Sequence, residues 1–205
     1  MKKSLIVIFL ILLFDQALKI YIKLNMTLGE EIPMIGDWFK LYFTENYGMA
    51  FGMEFGGEWG KLSLSIFRIL AIVAIGIYLY MLTRKKKKHT GLIISISMIL
   101  AGAIGNIIDS AFYGMLFTQS SYHTVAEFAA AGEGYASFLH GRVVDMFYFP
   151  VISIAQSDLP AWIPDFIFGY DNRFVFFRPI FNIADSSITI GVFWLILFER
   201  KHLSV

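Results

Sequence analysis

The sequence predicts an all-α membrane protein. Four transmembrane helices carry a small outer-face β-sheet and an enlarged outer-face loop region, with residues 1–205 forming a single polytopic membrane domain. Three observations predict this. Hydrophobic residues make up 57% of the chain and charged residues only 16%, whereas soluble domains carry about a quarter charged residues. The apolar residues come in long runs rather than amphipathic stripes, which makes lipid the solvent. Basic residues gather at three places that fall on one side of a four-span chain.

A span needs roughly 20 mostly apolar residues. The first runs from Ser4 to about Lys23 and the second from about Leu62 to Leu82. The third runs from Gly91 to about Phe112. The last, from about Ile183 to Phe198, is the shortest and is expected to start a few residues earlier. A cleaved signal peptide is the alternative for the first run. No small-residue cleavage site follows it, and Asp15, Lys19 and Lys23 continue it as a charged helix.

Lys2 and Lys3 precede the first span, Arg84 to Lys88 separate the second from the third, and Arg200 and Lys201 follow the last. Basic residues at span ends mark the cytoplasmic side, so both termini are expected in the cytoplasm and segments 25–60 and 113–181 on the outer face. Residues 32–55 alternate aromatic and polar stretches with glycines, as short strands on a membrane surface would. Residues 113–181 contain Trp162, Tyr170, Phe174, Phe176 and Phe177, which suit an interfacial belt. There is no cysteine, so disulfides, thiolate nucleophiles and cysteine metal sites are excluded. The net charge of +1 points to no nucleic-acid partner.

Charges inside spans cost about 2.5–3.5 kcal/mol each and are functional by default. Asp15 and Lys19 lie four apart in the first span, Asn106 and Asp109 three apart in the third, and Asn182 and Asp185 three apart at the start of the fourth. Arg68 lies in the second span and Asp145 in the outer segment. With the predicted topology, Asp15, Asp109, Asp145 and Asp185 converge on the outer boundary of the bilayer. Plainer readings stand beside this one. Asp15 with Lys19 makes an i,i+4 ion pair that renders a helix tolerable in lipid, Asn106 suits an interhelical hydrogen bond, and Asp109 suits a helix end. Two carboxylates held close cannot both ionise. The ionised one can take a proton from water while the protonated one polarises a carbonyl and later donates to the leaving nitrogen. That is peptide hydrolysis without a cofactor or metal.

These residues resemble lipoprotein signal peptidase, or signal peptidase II, an aspartyl protease family of the bacterial inner membrane. Asp15-Gln16 with Lys19 is similar to its first-span motif, and Asn46-Tyr47-Gly48-Met49-Ala50-Phe51 to its Asn-x-Gly-x-Ala-Phe motif. Gly102 to Asp109 resembles Gly-x-x-Gly-Asn-x-x-Asp, Val143 to Phe147 resembles Val-Val-Asp-Phe, and Phe181 to Ser186 resembles Phe-Asn-x-Ala-Asp-Ser. The resemblance implies Asp145 and Asp185 as the catalytic pair. It implies Asp15, Lys19, Asn46, Gly48, Asn106, Asp109, Asn182 and Ala184 as supporting or substrate-binding residues, and no metal or other cofactor. The implied partner is a membrane-anchored prolipoprotein cut before its diacylglyceryl cysteine by a monomeric enzyme in the lipid bilayer.

Two departures stand out. Most members have Arg after the third-span Asp where this chain has Ser110, and Arg142 is the expected replacement. Asp109 and Asp145 are 36 residues apart and Asp145 and Asp185 are 40 apart, longer than the family pattern. The extra segments near 115–140 and 150–178 suit either a lid over the substrate cleft or an ordered surface decoration. A proton-coupled transporter using intramembrane Asp and Lys is the alternative function. It would need a polar path through both leaflets, and stretches such as LIVIFLILL and VFWLILF hold no ionisable residue. A Ser–Lys hydrolase would pair Ser186 or Ser187 with Lys19. A metal protease would need His89, His123, His140 and His202 together, and they are scattered along the chain.

Overall fold

A computed structural model describes residues 1–48, 57–85, 89–160, 162–169 and 172–203. Met49 to Phe51 of the Asn46 motif, Lys86 to Lys88 of the basic cluster, and Tyr170 lie outside the described residues.

The first helix, α1 (Lys2–Asn25), buries Ser4, Asp15, Lys19, Ile22 and Lys23 while Leu5, Ile6, Phe9 and Phe14 stand exposed. That inverts the water-soluble pattern. It is the arrangement of a helix whose outer face meets lipid and whose polar residues face protein. Helix α2 (Gly57–Arg84) likewise exposes Phe67, Leu70, Val73 and Ile77. Helix α3 (Thr90–Ile108) is the most enclosed and packs against α1, α2 and α5 (Ile183–Trp194). A Cβ on Gly102 would run into the Ala184 carbonyl oxygen, and one on Gly105 would lie 2.8 Å from Asp15 Oδ2 and 3.1 Å from Ala184 Cβ. Small residues at these positions let α1, α3 and α5 approach closely enough for their polar groups to meet.

The sequence expectation for the spans holds for three helices. Lys2–Asn25, Trp59–Arg84 and Thr90–Leu116 are each long and apolar enough to cross a membrane. The third includes a π turn at Asp109–Tyr113 and a final helical turn, α4 (Gly114–Leu116). Such π turns often mark functional sites. The fourth run does not start earlier than Ile183. Ile180–Phe181 form a strand, and Asn182 caps the helix in a reciprocal box with Asp185. After Trp194 the helix continues as a π turn, Leu195–Glu199.

Strands β1 (Glu31–Ile35), β2 (Phe39–Asn46), β3 (Val143–Tyr148) and β6 (Ile180–Phe181) form an antiparallel sheet in the order β1-β2-β3-β6. Thr44 pairs with Asp145 and Asn46 with Val143, after a register shift beyond Leu41. Phe43, Val144 and Met146 pack with Ile22, Met26, Tyr113 and Phe117 into a core that seats the sheet on α1 and the π turn.

The described residues of both extra segments carry defined structure. In the first, Thr118 N donates to Glu127 O (2.9 Å), Ala136 N to Gly114 O (2.9 Å) and Gly141 N to Ser110 O (2.8 Å). This segment buries Phe117, Ser120 and Ala126, with the Phe117 ring against Tyr113 and Ser120 bonded to Lys23 and Glu45. The second carries a separate pair, β4 (Ile152–Ala155) with β5 (Arg173–Phe176). A cleft of about 600 Å3 separates it from the β1–β2 hairpin.

Candidate active site

The site is assembled from α1 outward. Lys19 and Asp15 share a helix face because they lie one turn apart, and the Lys19 ammonium bridges to Asp15 (2.9 Å) and Asp109 (2.8 Å) with all three side chains fully buried. Its third donor goes to Asn106 Oδ1 at 3.0 Å. The ammonium's three donors therefore all have acceptors, which a buried charge requires.

Each carboxylate then reaches a further element. Asp15 Oδ1 accepts from Ala184 N at 2.8 Å, one of the free N–H groups of the first turn of α5. Asp109 Oδ2 accepts from Val144 N at 3.3 Å, which ties the π turn to β3. Gln16 Nε2 bridges the two carboxylates, at 3.1 Å from Asp15 Oδ2 and 2.9 Å from Asp109 Oδ1. Gln16 in turn accepts from the Tyr113 hydroxyl at 3.2 Å. Neither Gln16 nor Tyr113 stood out as a site residue from sequence. Adjacency to Asp15 was the available signal for Gln16.

The second layer consists of asparagines. Asn106 Nδ2 donates to Asp185 Oδ1 at 2.7 Å. Asn182 Nδ2 donates to Asp145 Oδ1 at 2.7 Å and lies 3.1 Å from Asn106 Oδ1, while its own Oδ1 accepts from Asp185 N at 2.8 Å. Asn46 Nδ2 donates to the other oxygen, Asp145 Oδ2, and Asn46 Oδ1 accepts from Gly48 N at 2.5 Å. Asp145 and Asp185 are thus bridged by Asn182, which touches the side chain of one and the backbone of the other. Asp145 is 5% exposed and Asp185 half-buried. Burial, and after it the negative charge of Asp185, pushes the Asp145 carboxyl well above the usual carboxylate range.

The structure brings together Asp15, Lys19, Asn46, Gly48, Asn106, Asp109, Asn182, Ala184, Asp145 and Asp185. Arg142 is the exception, and its expected role is corrected. Its guanidinium turns to Glu45 Oε2 (3.7 Å) and the Tyr47 hydroxyl (3.3 Å), and Asp109 takes its cation from Lys19 instead. Sequence reasoning missed the group that Arg142 joins. Lys23 pairs with Glu45, both side chains at most 2% exposed, and also donates to Ser120 Oγ at 2.9 Å.

The Ser–Lys reading fails on geometry. Ser186 Oγ donates to Asn182 O at 2.9 Å and Ser187 Oγ to Met98 O at 2.8 Å, while the donors of Lys19 are taken by Asp15, Asp109 and Asn106. The histidines are less scattered in space than in sequence, since the rings of His89 and His202 stack with centroids 3.7 Å apart.

Residues 7–200 match the sequence model of signal peptidase (SPase) II. The lipoprotein signal peptidase of Porphyromonas gingivalis is 46% identical over 201 residues, covering 97% of this chain and 83% of that protein. The lipoprotein signal peptidase of Amoebophilus asiaticus is 36% identical over 196 residues, covering 95% and 76%. A bacterial membrane enzyme solved by the in meso method at 2.3 Å resolution superposes with a TM-score of 0.61 at 25% identity, covering all of this chain and 91% of that one. With the family sequence matched along nearly its whole length and a membrane-enzyme fold around its polar centre, the chain belongs to the signal peptidase II family of peptidases.

Proposed function

We propose that the chain is an aspartyl endopeptidase that removes the signal peptide from diacylglyceryl-modified prolipoproteins, cutting before the lipidated cysteine. The observation that carries this reading is the joining of Asp145 and Asp185 through Asn182. Burial and the charge of Asp185 disfavour ionisation of Asp145, so one carboxyl of the pair stays protonated while the other is ionised. The ionised member removes a proton from a water as the water oxygen attacks the scissile carbonyl carbon. The protonated member donates to the carbonyl oxygen. In collapse of the tetrahedral intermediate, a proton from the pair goes to the leaving nitrogen as the C–N bond breaks. The aspartate–lysine layer behind them holds the geometry and takes no part in bond making. Asp15 fixes the start of α5, Asp109 fixes β3, and Lys19 bridges the two.

The pair stands where the sheet meets the helix bundle, at the C-terminal ends of α1 and α3. Basic residues at the far ends of the helices support an outer-face site in a bacterial inner-membrane protein with cytoplasmic termini. A dually acylated substrate is held at the bilayer surface, so its cleavage site lies at this depth. The transporter alternative finds no support in the family to which the chain belongs.

The test is cleavage of a diacylglyceryl-modified prolipoprotein by purified protein in detergent. Wild type is expected to cut before the lipidated cysteine, and folded Asp145→Asn and Asp185→Asn are expected to lose nearly all activity. Near-normal rates in either variant would remove that residue from the catalytic pair.

A further inference from the structure

Arg68 lies in α2 among Phe67, Ile69 and Leu70, which face outward and are apolar. It belongs to none of the motifs that carry the family resemblance. An always-charged guanidinium in a lipid-crossing helix is costly and needs a reason. Its contacts supply one. Arg68 Nη2 donates to the Gly48 carbonyl oxygen. Gly48 stands at φ +88°, and a Cβ built there would collide with the guanidinium. The Gly48 N–H donates to Asn46 Oδ1 at 2.5 Å, and Asn46 Nδ2 donates to Asp145 Oδ2. An unbroken series of hydrogen bonds therefore runs from α2 through the Asn46–Gly48 turn to Asp145. The carboxylate charges that act on Arg68 are those of Asp185, Asp109 and Asp145. Ser110 supplies no cation on the third helix, and Arg142 is turned towards Glu45.

We propose that Arg68 is a positioning residue for peptide hydrolysis: its guanidinium holds the Gly48 carbonyl, fixes Asn46 against Asp145 and brings from α2 a positive charge to the acidic pair. The proposal rests on the aspartyl reading above. It separates two contributions, the hydrogen bond that orients the turn and the charge that acts on the carboxylates. The groups that act on Asp145 are Asp185 from α5, Lys19 from α1, Asp109 from the π turn, Arg68 from α2, and the amides of Asn46 and Asn182. Of these, Lys19 is already shared between Asp15 and Asp109.

The experiment compares wild type, Arg68→Gln, Arg68→Lys and Asp145→Asn in the prolipoprotein cleavage assay, with kcat, KM and the pH profile of kcat measured on folded protein. Arg68→Gln is expected to lower kcat about tenfold, less than the loss on removing a direct donor to the reacting atoms, with KM within about twofold. Loss of the cation disfavours ionised carboxylates, so its acid limb moves to higher pH. Arg68→Lys keeps the charge and the limb but loses several-fold in kcat, because the shorter lysine places its ammonium away from the position from which Nη2 donates to the Gly48 carbonyl. Wild-type kcat and an unmoved acid limb in Arg68→Gln overturn the proposal, as does a change confined to melting temperature. If Arg68→Gln does not fold, Arg68→Lys decides, and wild-type kcat in that variant overturns it. Asp145→Asn separates the failures. If it is inactive while the Arg68 variants are normal, only Arg68 falls, and if it is active the aspartyl reading itself falls.

Discussion

Asn182 donates to Asp145 Oδ1 at 2.7 Å while capping the helix that carries Asp185. One side chain thus sets the start of α5, the position of a carboxylate on β3 and the distance between the two. Asn182→Ala removes the cap, worth about 1 kcal/mol, and leaves the buried Asn106 and Val144 oxygens each short of a donor. The expected result is a drop in melting temperature in detergent together with a rate loss of about 10²-fold, the scale of removing one oriented donor at a reacting group. A variant with full activity and a lowered melting temperature would show Asn182 to be a cap and nothing more.

Lys19 makes a second, independent prediction. It pairs with both Asp15 and Asp109 with no access to water. Removing one partner of a buried ionic group costs about 3–5 kcal/mol because the remaining charges stay uncompensated. Lys19→Met should be poorly stable, and adding Asp109→Asn should return part of that stability without returning activity. Thermal unfolding of the single and double variants checks this. A double variant no more stable than Lys19→Met would mean that the cost is lost packing of the lysine stem.

Asp145 gives stability a pH dependence whose sign follows from its environment. Its folded carboxyl lies well above the ordinary carboxylate range because of burial and then Asp185. A raised folded value means that the native state binds the proton more tightly than the unfolded chain does. The contribution is full below the unfolded value near 4 and is lost as pH rises through the raised one. Asp145→Asn carries no such proton. The melting-temperature difference between it and wild type should therefore grow in the variant's favour from acid to neutral pH. Asp185→Asn, which removes the second cause, should shrink that trend. Parallel curves for wild type and Asp145→Asn would contradict the assignment.

Much of this site was legible in spacing. A spacing of four positions from Asp15 to Lys19, and of three from Asn106 to Asp109 and from Asn182 to Asp185, places each pair on one helix face. A polar face in an apolar helix has to meet protein. What spacing does not reveal is the partner across a sheet. Arg142 is the expected partner of Asp109 because Ser110 stands where the family has Arg, but β2 runs alongside β3 with Glu45 opposite Val144. That register puts Glu45 within reach of Arg142 and of Lys23. The fourth helix begins later than composition suggested because Ile180 and Phe181, apolar enough for a span, are taken by pairing with Tyr148 and Phe147. The β4–β5 pair of the second insertion was hidden for a related reason. Its strands depend on pairing between residues 18 to 24 positions apart, which local pattern does not record.

The Lys23–Glu45 pair gives the last prediction. Asp15, Lys19 and Lys23 follow one another at four-residue intervals, so a third charge on the polar stripe of α1 requires its own counter-charge. Glu45 provides it, with Ser120 Oγ 3.0 Å from Glu45 Oε1 and Arg142 3.7 Å from the other oxygen. Glu45 Oε2 is buried without a hydrogen bond among the described residues, and the nearby charges are what it depends on. Lys23→Met should cost about 3–5 kcal/mol by stranding Glu45, and Lys23→Met with Glu45→Gln should cost less than the single change. Glu45 adjoins Asn46 on β2, so the single variant should also lower the cleavage rate by loosening the strand that supplies a donor to Asp145. Measuring melting temperature and kcat for the single and double variants separates the two effects. Recovery of both in the double variant would show that the stranded charge disturbed β2. Recovery of stability alone would show that Glu45 orients Asn46 through its charge, and recovery of neither would show that the lysine and glutamate act independently.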